Sequence, residues 1–334
     1  GKKQKQASKF KYEVSKNHEG NTIYNFIEAK PEDMKCKTKS TKISIEEEND
    51  TSVTSNGDDC ADSPNIKSYV IYENAGIIYI FLHAIREKEL NPDYYPFDLT
   101  EEKKKFVYRG TATNKTKNQF QDMPENGADI AHFLYIHPQI FKGILYAYWK
   151  PKWVSASAPD LLEQTKSDHS WITDFRHKLI NKFVNDSNKS KIGIVLLENE
   201  ISFFNFKYRY LFFGLIGFQV GPGLVYLFLK SPFFETMFFQ YSELIGKHNI
   251  ELHHEIWTAN WIPYWFSALK LKLESDQVTN DCVIWDNKKF GSTPWYNLST
   301  VADNFLKEWR VFFCQFYEGC KEKDEKLKAL NSDW

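Results

Sequence analysis

Three side chains that could bind a metal lie close together in the segment PENGADIAHFLYIH, which runs from Pro124 to His137. Asp129 stands three residues before His132, and His137 follows five residues after it. Neutral imidazoles suit divalent transition metals, and two histidines with one carboxylate form the facial triad of non-haem Fe(II) oxygenases. Zinc is the other candidate, although the His-Glu-x-x-His pattern of metalloprotease helices is absent. The segment therefore predicts a metal site, with ordinary structural histidines as the alternative.

The spacing of these side chains constrains the backbone that carries them. In a helix that begins near Pro124, Asp129 and His132 lie on adjacent faces because three residues turn through about 300°. The five residues from His132 to His137 turn through about 500°, so both imidazoles reach one ion only if the helix distorts or ends between them. Pro138 disfavours helical geometry at His137 and supplies that end.

Length and composition favour a large globular chain. The 334 residues are 42% hydrophobic and 16% aromatic, which is enough to bury a large core. A formal net charge of −1 provides no overall field for nucleic acid, so no nucleic-acid partner is expected. The five cysteines form no Cys-x-x-Cys pair, which argues against a disulfide scaffold and a structural zinc site and favours a reducing, intracellular setting.

Strand patterns dominate the first two thirds of the chain. A short strand is predicted at Thr22–Ile27, whereas residues 32–64 have the polar composition of a disordered insertion. The two β-rich runs of SYVIYENAGIIYIFLHA predict a hairpin. Further strands are predicted at Lys105–Gly110, Gly143–Trp153, Lys191–Phe204 and Phe206–Tyr210. Several antiparallel strands are therefore expected.

The uncharged segment 210–229 has the length of a transmembrane helix. However, Gly221-Pro222-Gly223 lies near its centre, and these residues break helices and make turns. We therefore expect two buried strands around a turn, with a membrane span as the less favoured alternative.

Two helices are predicted towards the C-terminus. Between residues 261 and 290 the period is helical, and one stripe is predicted to face inward: Phe266, Leu269, Leu273, Gln277 and Ile284. Asp281 falls on the same arc, and a carboxylate that faces a core is costly unless a cation or donors compensate it. Cys282 points about 100° away from Asp281 and is expected to serve packing. The second helix is predicted from Val301 to Tyr317.

The segment PENGADIAHFLYIH resembles the iron-binding motif of the Rieske non-haem iron oxygenases, and specifically of the Neverland-type cholesterol 7-desaturases. The similarity runs from about Ile66 to Tyr317 and includes YENAGIIYIFLHA, FQVGPGLVYL, QVTNDCVIWDNKKF and EWRVFFCQFY. The resemblance implies an α+β fold of the helix-grip (START-like) type, in which an antiparallel sheet surrounds a long C-terminal helix.

The resemblance also assigns roles to individual residues. It implies that His132, His137 and Asp281 are the ligands of Fe(II). Asp129 matches a carboxylate that hydrogen-bonds a ligand histidine and connects it to the Rieske cluster of a neighbouring subunit, so Asp129 is the expected catalytic residue. Its physical role would be to fix the imidazole tautomer and carry the electronic coupling.

The ligands of a [2Fe-2S] cluster, which is expected for the full-length family, are absent from this sequence. A Rieske cluster needs two cysteines and two histidines, which the family arranges as Cys-x-His and Cys-x-x-His. Upstream of the motif the chain has Cys36, Cys60, His18 and His83, and none of them is so arranged. Either the Rieske segment is cut from the chain or the cluster is lost. The abrupt polar start favours truncation, which would also remove an N-terminal membrane segment.

Four segments are predicted from these features. Residues 1–65 would be a remnant of the Rieske domain that contains the disordered insertion, and residues 66–100 would be the end of that domain and a linker hairpin. Residues 101–320 would form the non-haem iron catalytic domain, and residues 321–334 a charged tail.

The activity that the resemblance implies is an O2-dependent desaturation of a sterol at C7–C8, or its hydroxylation, with electrons from an NAD(P)H-dependent reductase. The expected partners are a sterol, O2, the reductase and further copies in the homotrimer common in the family. The expected setting is sterol metabolism and steroid biosynthesis at an intracellular membrane, the endoplasmic reticulum. A module that only binds a sterol or lipid, with a vestigial metal site, is the alternative.

Other polar residues are expected to have structural roles. An isolated histidine needs a partner to become a ligand or a base. The histidines interpreted as structural are His83, His169, His177, His253 and His254. Glu125 and Asn126 are expected to cap a helix.

Overall fold

The computed structural model describes residues 11–16, 22–27, 68–74, 77–81, 92, 94–137, 139–141, 145–203, 206–246, 248–288 and 300–316. These residues belong to two compact units, Gly1–Asp93 and Tyr94–Trp334. The predicted insertion at 32–64, the charged tail at 321–334 and His18, His83, Cys36 and Cys60 lie outside the described residues. The assignment of the N-terminal segments to a Rieske domain stays a prediction.

The first unit contains a four-stranded antiparallel sheet in the order β1-β2-β3-β4. Its strands are β1 Lys11–Lys16, β2 Thr22–Ile27, β3 Ser68–Asn74 and β4 Ile77–Ile80. The strand predicted at Thr22–Ile27 is β2. The predicted hairpin is formed by β3 and β4, with Asn74 opposite Ile77. Both predictions are confirmed.

The second unit is built on an eight-stranded sheet in the order β5-β12-β11-β10-β9-β8-β7-β6, and every neighbouring pair is antiparallel. The strands are β5 Phe106–Thr116, β6 Gln139–Phe141, β7 Leu145–Ser155, β8 Ile192–Phe203, β9 Phe206–Val220, β10 Leu224–Lys230, β11 Glu235–Gly246 and β12 Asn249–Ala259. The strands predicted in these regions are confirmed.

Helices complete the second unit and confirm the mixed α+β class. They are α1 Thr100–Lys105, α2 Asp122–Asn126, α3 Ile130–Tyr135, α4 Leu161–Gln164, α5 Ser170–Phe183, α6 Tyr264–Asp286 and α7 Val301–Cys314. The longest described helix, α6, packs on β5 and β12. Asn114 Nδ2 of β5 donates to Thr279 Oγ1 of α6 at 3.1 Å.

The uncharged segment 210–229 forms two paired strands, as predicted. Val220 of β9 lies opposite Leu224 of β10, and a turn joins them at residues 221–223. Gly221 has a positive φ of 60°, which glycine adopts without steric cost. Among the described helices, none has the length and hydropathy that crossing a bilayer requires.

One face of β9, β10 and β11 is covered by aromatic rings beneath α5. The rings of Phe97 and Phe183 stack with their centroids 4.6 Å apart, and Phe218 meets Phe97 edge-on at 5.4 Å. The buried rings of this aromatic face are Phe97, Phe183, Phe218, Tyr226, Phe228 and Phe239. Such rings dominate the energetics of a core because each buries about 150–250 Å².

The opposite face of the sheet packs against α6, and here the predicted inward stripe was wrong, although Asp281 on its arc is buried as predicted. Leu269 and Ile284 are 38% and 50% exposed. The buried residues of α6 are Ser267, Val278, Asp281, Cys282 and Trp285. The true inward face includes polar side chains, so a search for an apolar stripe finds a different side of the helix. The sequence of α6 alone therefore does not show which face of the helix packs on the sheet.

The cysteines in the described ranges have two different environments. Cys282 is free and buried, and it packs with Val278 and Trp285 as expected. Cys314 at the end of α7 is disulfide-bonded, which the expected reducing setting did not predict.

Candidate metal centre

The first two candidate ligands are positioned by α3 and its caps. Asp129 is the N-cap, and its Oδ1 accepts hydrogen bonds from the backbone N–H groups of Ala131 at 3.1 Å and His132 at 3.3 Å. A cap of this kind satisfies donors that the first helical turn leaves unpaired. The start of α3 is thereby held three residues before His132.

The end of α3 brings the second histidine close to the first. The helix stops at Tyr135, so it ends between His132 and His137 as the spacing required. The two imidazole centroids are 5.1 Å apart with their planes at 84°. The indole Nε1 of Trp149 donates to the carbonyl oxygen of His137 at 2.7 Å, which holds this turn against β7.

The third candidate ligand comes from the inward face of α6. Asp281 Oδ1 lies 3.0 Å from His137 Nε2. One possible ligand atom from each of His132, His137 and Asp281 lies within 4.8 Å of the others, and all three residues are buried. The tertiary structure thus brings together the three residues that the resemblance implied as iron ligands.

The environment of His132 favours the form that binds metals. Its Nδ1–H donates to the carbonyl oxygen of Asp129, which leaves the lone pair of Nε2 for another partner. Burial holds the pKa of His132 below its ordinary value, although the charge of Asp281 opposes this shift. A neutral imidazole is the form that coordinates a metal.

His137 has one ring nitrogen without a protein partner. Its Nε2 faces Asp281, whereas its Nδ1 is buried and accepts or donates no hydrogen bond within the described part of the chain. The Nε2 atom of His137 therefore faces the carboxylate that also lies close to His132 in the cluster.

Asp129 lies next to this cluster without being part of it. The resemblance implied that its carboxylate hydrogen-bonds a ligand histidine. In this chain the main-chain carbonyl makes the contact with the ring of His132, while the carboxylate caps α3. The predicted link from Asp129 to a neighbouring subunit stays a prediction.

Glu125, expected to cap a helix, instead connects α2 to α7. Arg310 Nε donates to Glu125 Oε1 at 2.7 Å. Burial raises the pKa of Glu125, and the guanidinium of Arg310 opposes that shift. The capping expectation was therefore wrong for Glu125, because a residue 185 positions later supplies its partner.

A partly buried polar cluster beside the candidate ligands was missed in the sequence. Gln240 Nε2 of β11 donates to Glu274 Oε1 of α6 at 2.8 Å. Burial raises the pKa of Glu274, an effect that His137 opposes and Asp281 reinforces. Burial also lowers the pKa of Lys270 to about 7, with Glu274 opposing. The only sequence signal was Lys270 and Glu274 at a four-residue spacing, which usually indicates an exposed helical ion pair.

Three of the other histidines make contacts expected of structural residues. The ring of His169 lies 4.8 Å from that of Phe212, and His177 Nε2 is 2.8 Å from the carbonyl oxygen of Leu162. His253 Nε2 lies 3.3 Å from Glu243 Oε2. His254 differs from them, since both of its ring nitrogens are buried without a hydrogen-bond partner among the described residues.

Two histidines and one carboxylate, buried together between a short helix and a long one, define a candidate mononuclear metal centre of the facial-triad class. The chain is similar to cholesterol 7-desaturases. It is 26% identical over 270 residues to cholesterol 7-desaturase nvd 1 of Ciona intestinalis, which covers 80% of this chain and 52% of that protein. It is 28% identical over 286 residues to the Drosophila melanogaster enzyme, which covers 80% of this chain and 57% of that protein.

These similarities confirm the predicted resemblance and relate the chain to oxidoreductases. The chain spans about half the length of the curated relatives it matches. No family model matches it.

Among solved structures, dicamba monooxygenase bound to dicamba aligns with a TM-score of 0.49 at 10% identity, covering 79% of this chain and 71% of that chain. A mutant of NdmA from Pseudomonas putida CBB5 with theobromine aligns with a TM-score of 0.45 at 13% identity, covering 75% of this chain and 62% of that chain.

Proposed function

We propose that this chain is the catalytic part of a Rieske-type oxygenase that acts on a sterol, with one Fe(II) held by His132, His137 and Asp281. The proposed reaction is O2-dependent desaturation at C7–C8 or hydroxylation. The observation that carries the proposal is the convergence of these three buried side chains in a chain similar to cholesterol 7-desaturases over 80% of its length.

The donor set of the site suits iron. Two imidazoles and one carboxylate, with no thiolate among them, form the facial triad of non-haem Fe(II) oxygenases. The contact between His132 Nδ1 and the carbonyl of Asp129 orients the ring, and burial favours its neutral form. In this proposal, the sheet and α6 together make the helix-grip arrangement.

When bound, iron supplies the activation of dioxygen, and the side chains around it position an apolar substrate and exclude water. Three half-buried rings lead away from His137. The centroid of Phe133 is 6.1 Å from that of His137 and 5.7 Å from that of Trp149, and Trp149 is 6.0 Å from Phe213. Aromatic walls of this kind suit a flat apolar ligand.

The partners of the whole protein are part of the proposal. Electrons would come from an NAD(P)H-dependent reductase and pass through a [2Fe-2S] cluster, whose ligand pattern the 334 residues do not contain. Assembly as a homotrimer, association with a membrane and an intracellular location at the endoplasmic reticulum stay predictions.

Iron content is the direct test. After anaerobic loading and desalting, the purified chain should hold about one Fe(II), as a facial-triad site requires. His132→Ala and Asp281→Ala should each lose most of it, since each removes one of three protein ligands. His177→Ala is the matched control, because His177 contacts a carbonyl oxygen far from the cluster, and it should keep its iron.

Two results would contradict the proposal. One is a wild-type chain that binds no Fe(II), and the other is equal iron in all of the variants. Sterol binding without iron and without turnover in the presence of a reductase and a Rieske donor would favour the sterol-binding module instead.

A further inference from the structure

A second set of polar side chains lies on the α6 side of the sheet, separate from the candidate iron ligands. Gln240 of β11 is directly opposite His254 of β12, and Gln240 donates to Glu274 of α6. On either side of this group, Thr258 Oγ1 is 3.0 Å from Ser267 Oγ, and Leu252 packs with Val278. Gln240, His254 and Glu274 therefore meet between the helix and the sheet.

His254 is the unusual member of this group. It is 1% exposed, and neither ring nitrogen has a hydrogen-bond partner in the described ranges. Burial lowers its pKa to about 4, so at neutral pH the ring is uncharged and offers one donor and one acceptor. Buried polar atoms in folded proteins are almost always paired with protein groups, water or a ligand.

Two further side chains of α6 lie beside this group. Glu274 and Lys270 are both half-buried, yet desolvation is the largest influence on both pKa values. Half-buried apolar side chains continue this region, among them Phe234, Phe266 and Leu227.

We propose that His254, Gln240 and Glu274 form a subsite that binds the hydroxyl group of an otherwise apolar substrate. A hydroxyl both donates and accepts, so it can pair with the carboxyl group of Glu274 and with one nitrogen of His254. The bound group should be uncharged, because the carboxyl group of Glu274 already has a nearby amine, that of Lys270, to balance its charge. The inference rests on the proposed sterol substrate, and it adds that the end of the sterol that carries the hydroxyl group binds at this subsite.

The position of the subsite relative to the candidate metal centre agrees with this role. Glu274 precedes Asp281 by seven residues, which is about 10 Å along a helix and nearly the same face. The two carboxyl groups are close enough for Asp281 and His137 to influence the pKa of Glu274. A rigid apolar skeleton anchored by its hydroxyl at Glu274 would therefore extend towards His132, His137 and Asp281.

The test compares two probes that differ by one group, cholesterol and its 3-deoxy analogue cholest-5-ene. Binding is measured by quenching of the fluorescence of the ten tryptophans, on the full chain without added iron. Wild type should bind cholesterol about tenfold or more tightly than cholest-5-ene, because the hydroxyl pairs with buried groups that the analogue leaves unpaired. His254→Phe and Gln240→Leu should bring this ratio close to one by weakening cholesterol binding alone.

The matched control is His253→Phe. His253 is the same residue type at the preceding position of the same strand, and it faces the opposite side, towards Glu243. This variant should keep the wild-type ratio. The inference is overturned if wild type binds both probes equally, if His254→Phe keeps the preference for cholesterol, or if neither probe binds. Equal binding would mean that only water occupies the subsite.

The outcome is separate from that of the iron proposal. A chain that binds iron but shows no preference for the hydroxyl retains the proposed function and loses this inference. A chain that prefers cholesterol but binds no iron does the reverse. If His254→Phe fails to fold, the comparison of cholesterol, cholest-5-ene and the 3-methyl ether of cholesterol on wild type still decides, because the ether lacks the donor and should bind more weakly than cholesterol.

Discussion

The two faces of strands β9 to β12 are made from alternating residues of the same segments, yet their chemistry differs. The aromatic face beneath α5 contains Phe218, Tyr226 and Phe239 in contact with rings from other elements. The face beneath α6 carries Gln219, Gln240 and His254 among its buried residues. Side chains of a strand alternate between the faces, so one sheet can present both.

Stability and chemistry therefore depend on opposite sides of one sheet. Close packing of apolar rings stabilises the folded protein. Buried polar groups gain little unless every hydrogen bond is made, and His254 lacks protein partners for both ring nitrogens among the described residues. The aromatic face should therefore be costly to alter, and the α6 face should tolerate loss of its polar groups.

The largest effect is expected on the aromatic face. Phe218→Ala should lower the free energy of unfolding by about 3–5 kcal/mol, since Phe218 is fully buried among rings. Phe213→Ala is the matched control, because it changes the same residue type on the same strand at a half-buried position on the other face. Its cost, measured by urea denaturation, should be clearly smaller. Equal losses would remove the distinction between the faces.

The next effect is a pH dependence from His254. Its folded pKa is lowered from 6.5 to about 4. Below pH 6.5, His254 therefore binds a proton in the unfolded chain but stays neutral in the folded chain. The stability from this histidine is complete above pH 6.5 and falls as the pH approaches 4, by up to about 3 kcal/mol. His254→Phe should lose this part of the dependence between pH 7 and 4.5, whereas His253→Phe should retain it. A wild-type slope in His254→Phe would contradict the burial of the ring.

A smaller effect is expected where α3 begins, beside the candidate iron ligands. Asp129→Ala should lower the free energy of unfolding by about 1 kcal/mol because it removes the N-cap. Asp129→Asn keeps a capping oxygen and should cost much less. Urea denaturation of both variants separates the two roles of this residue, because equal losses would show that the charge and not the cap supports α3.

The smallest effect is expected from Glu274→Gln. Burial raises the folded pKa of Glu274 above its ordinary 4.5, so ionisation at neutral pH costs stability that is present at acid pH. The variant should be slightly more stable than wild type at pH 7, and the difference should vanish below pH 4.5. The increase in the free energy of unfolding should be small, because the variant also loses the attraction of the carboxylate to His137 and Lys270. A variant that is less stable at pH 7 would show that the carboxylate stabilises the α6 face.

Much of the candidate site follows from local sequence. The end of α3 between the two histidines was predicted from the proline that follows His137 in the sequence. Gly221-Pro222-Gly223 forms the turn between β9 and β10 through a local restriction of the backbone. The ligand set depended instead on the resemblance, since neither spacing nor composition could connect Asp281 to His132 and His137.

Local sequence patterns were enough to predict the strands, the turn between β9 and β10 and the end of α3, and the resemblance supplied the three candidate ligands. Three features became known only from the folded chain: the inward face of α6, the partner of Glu125 and the cluster of Gln240, His254 and Glu274. Periodicity detects a buried face only when that face is apolar, and the face of α6 that packs on the sheet includes Ser267, Glu274 and Asp281. Its polar groups are matched by residues from β11, β12 and the turn after α3, and such pairing across distant segments leaves no local pattern to find.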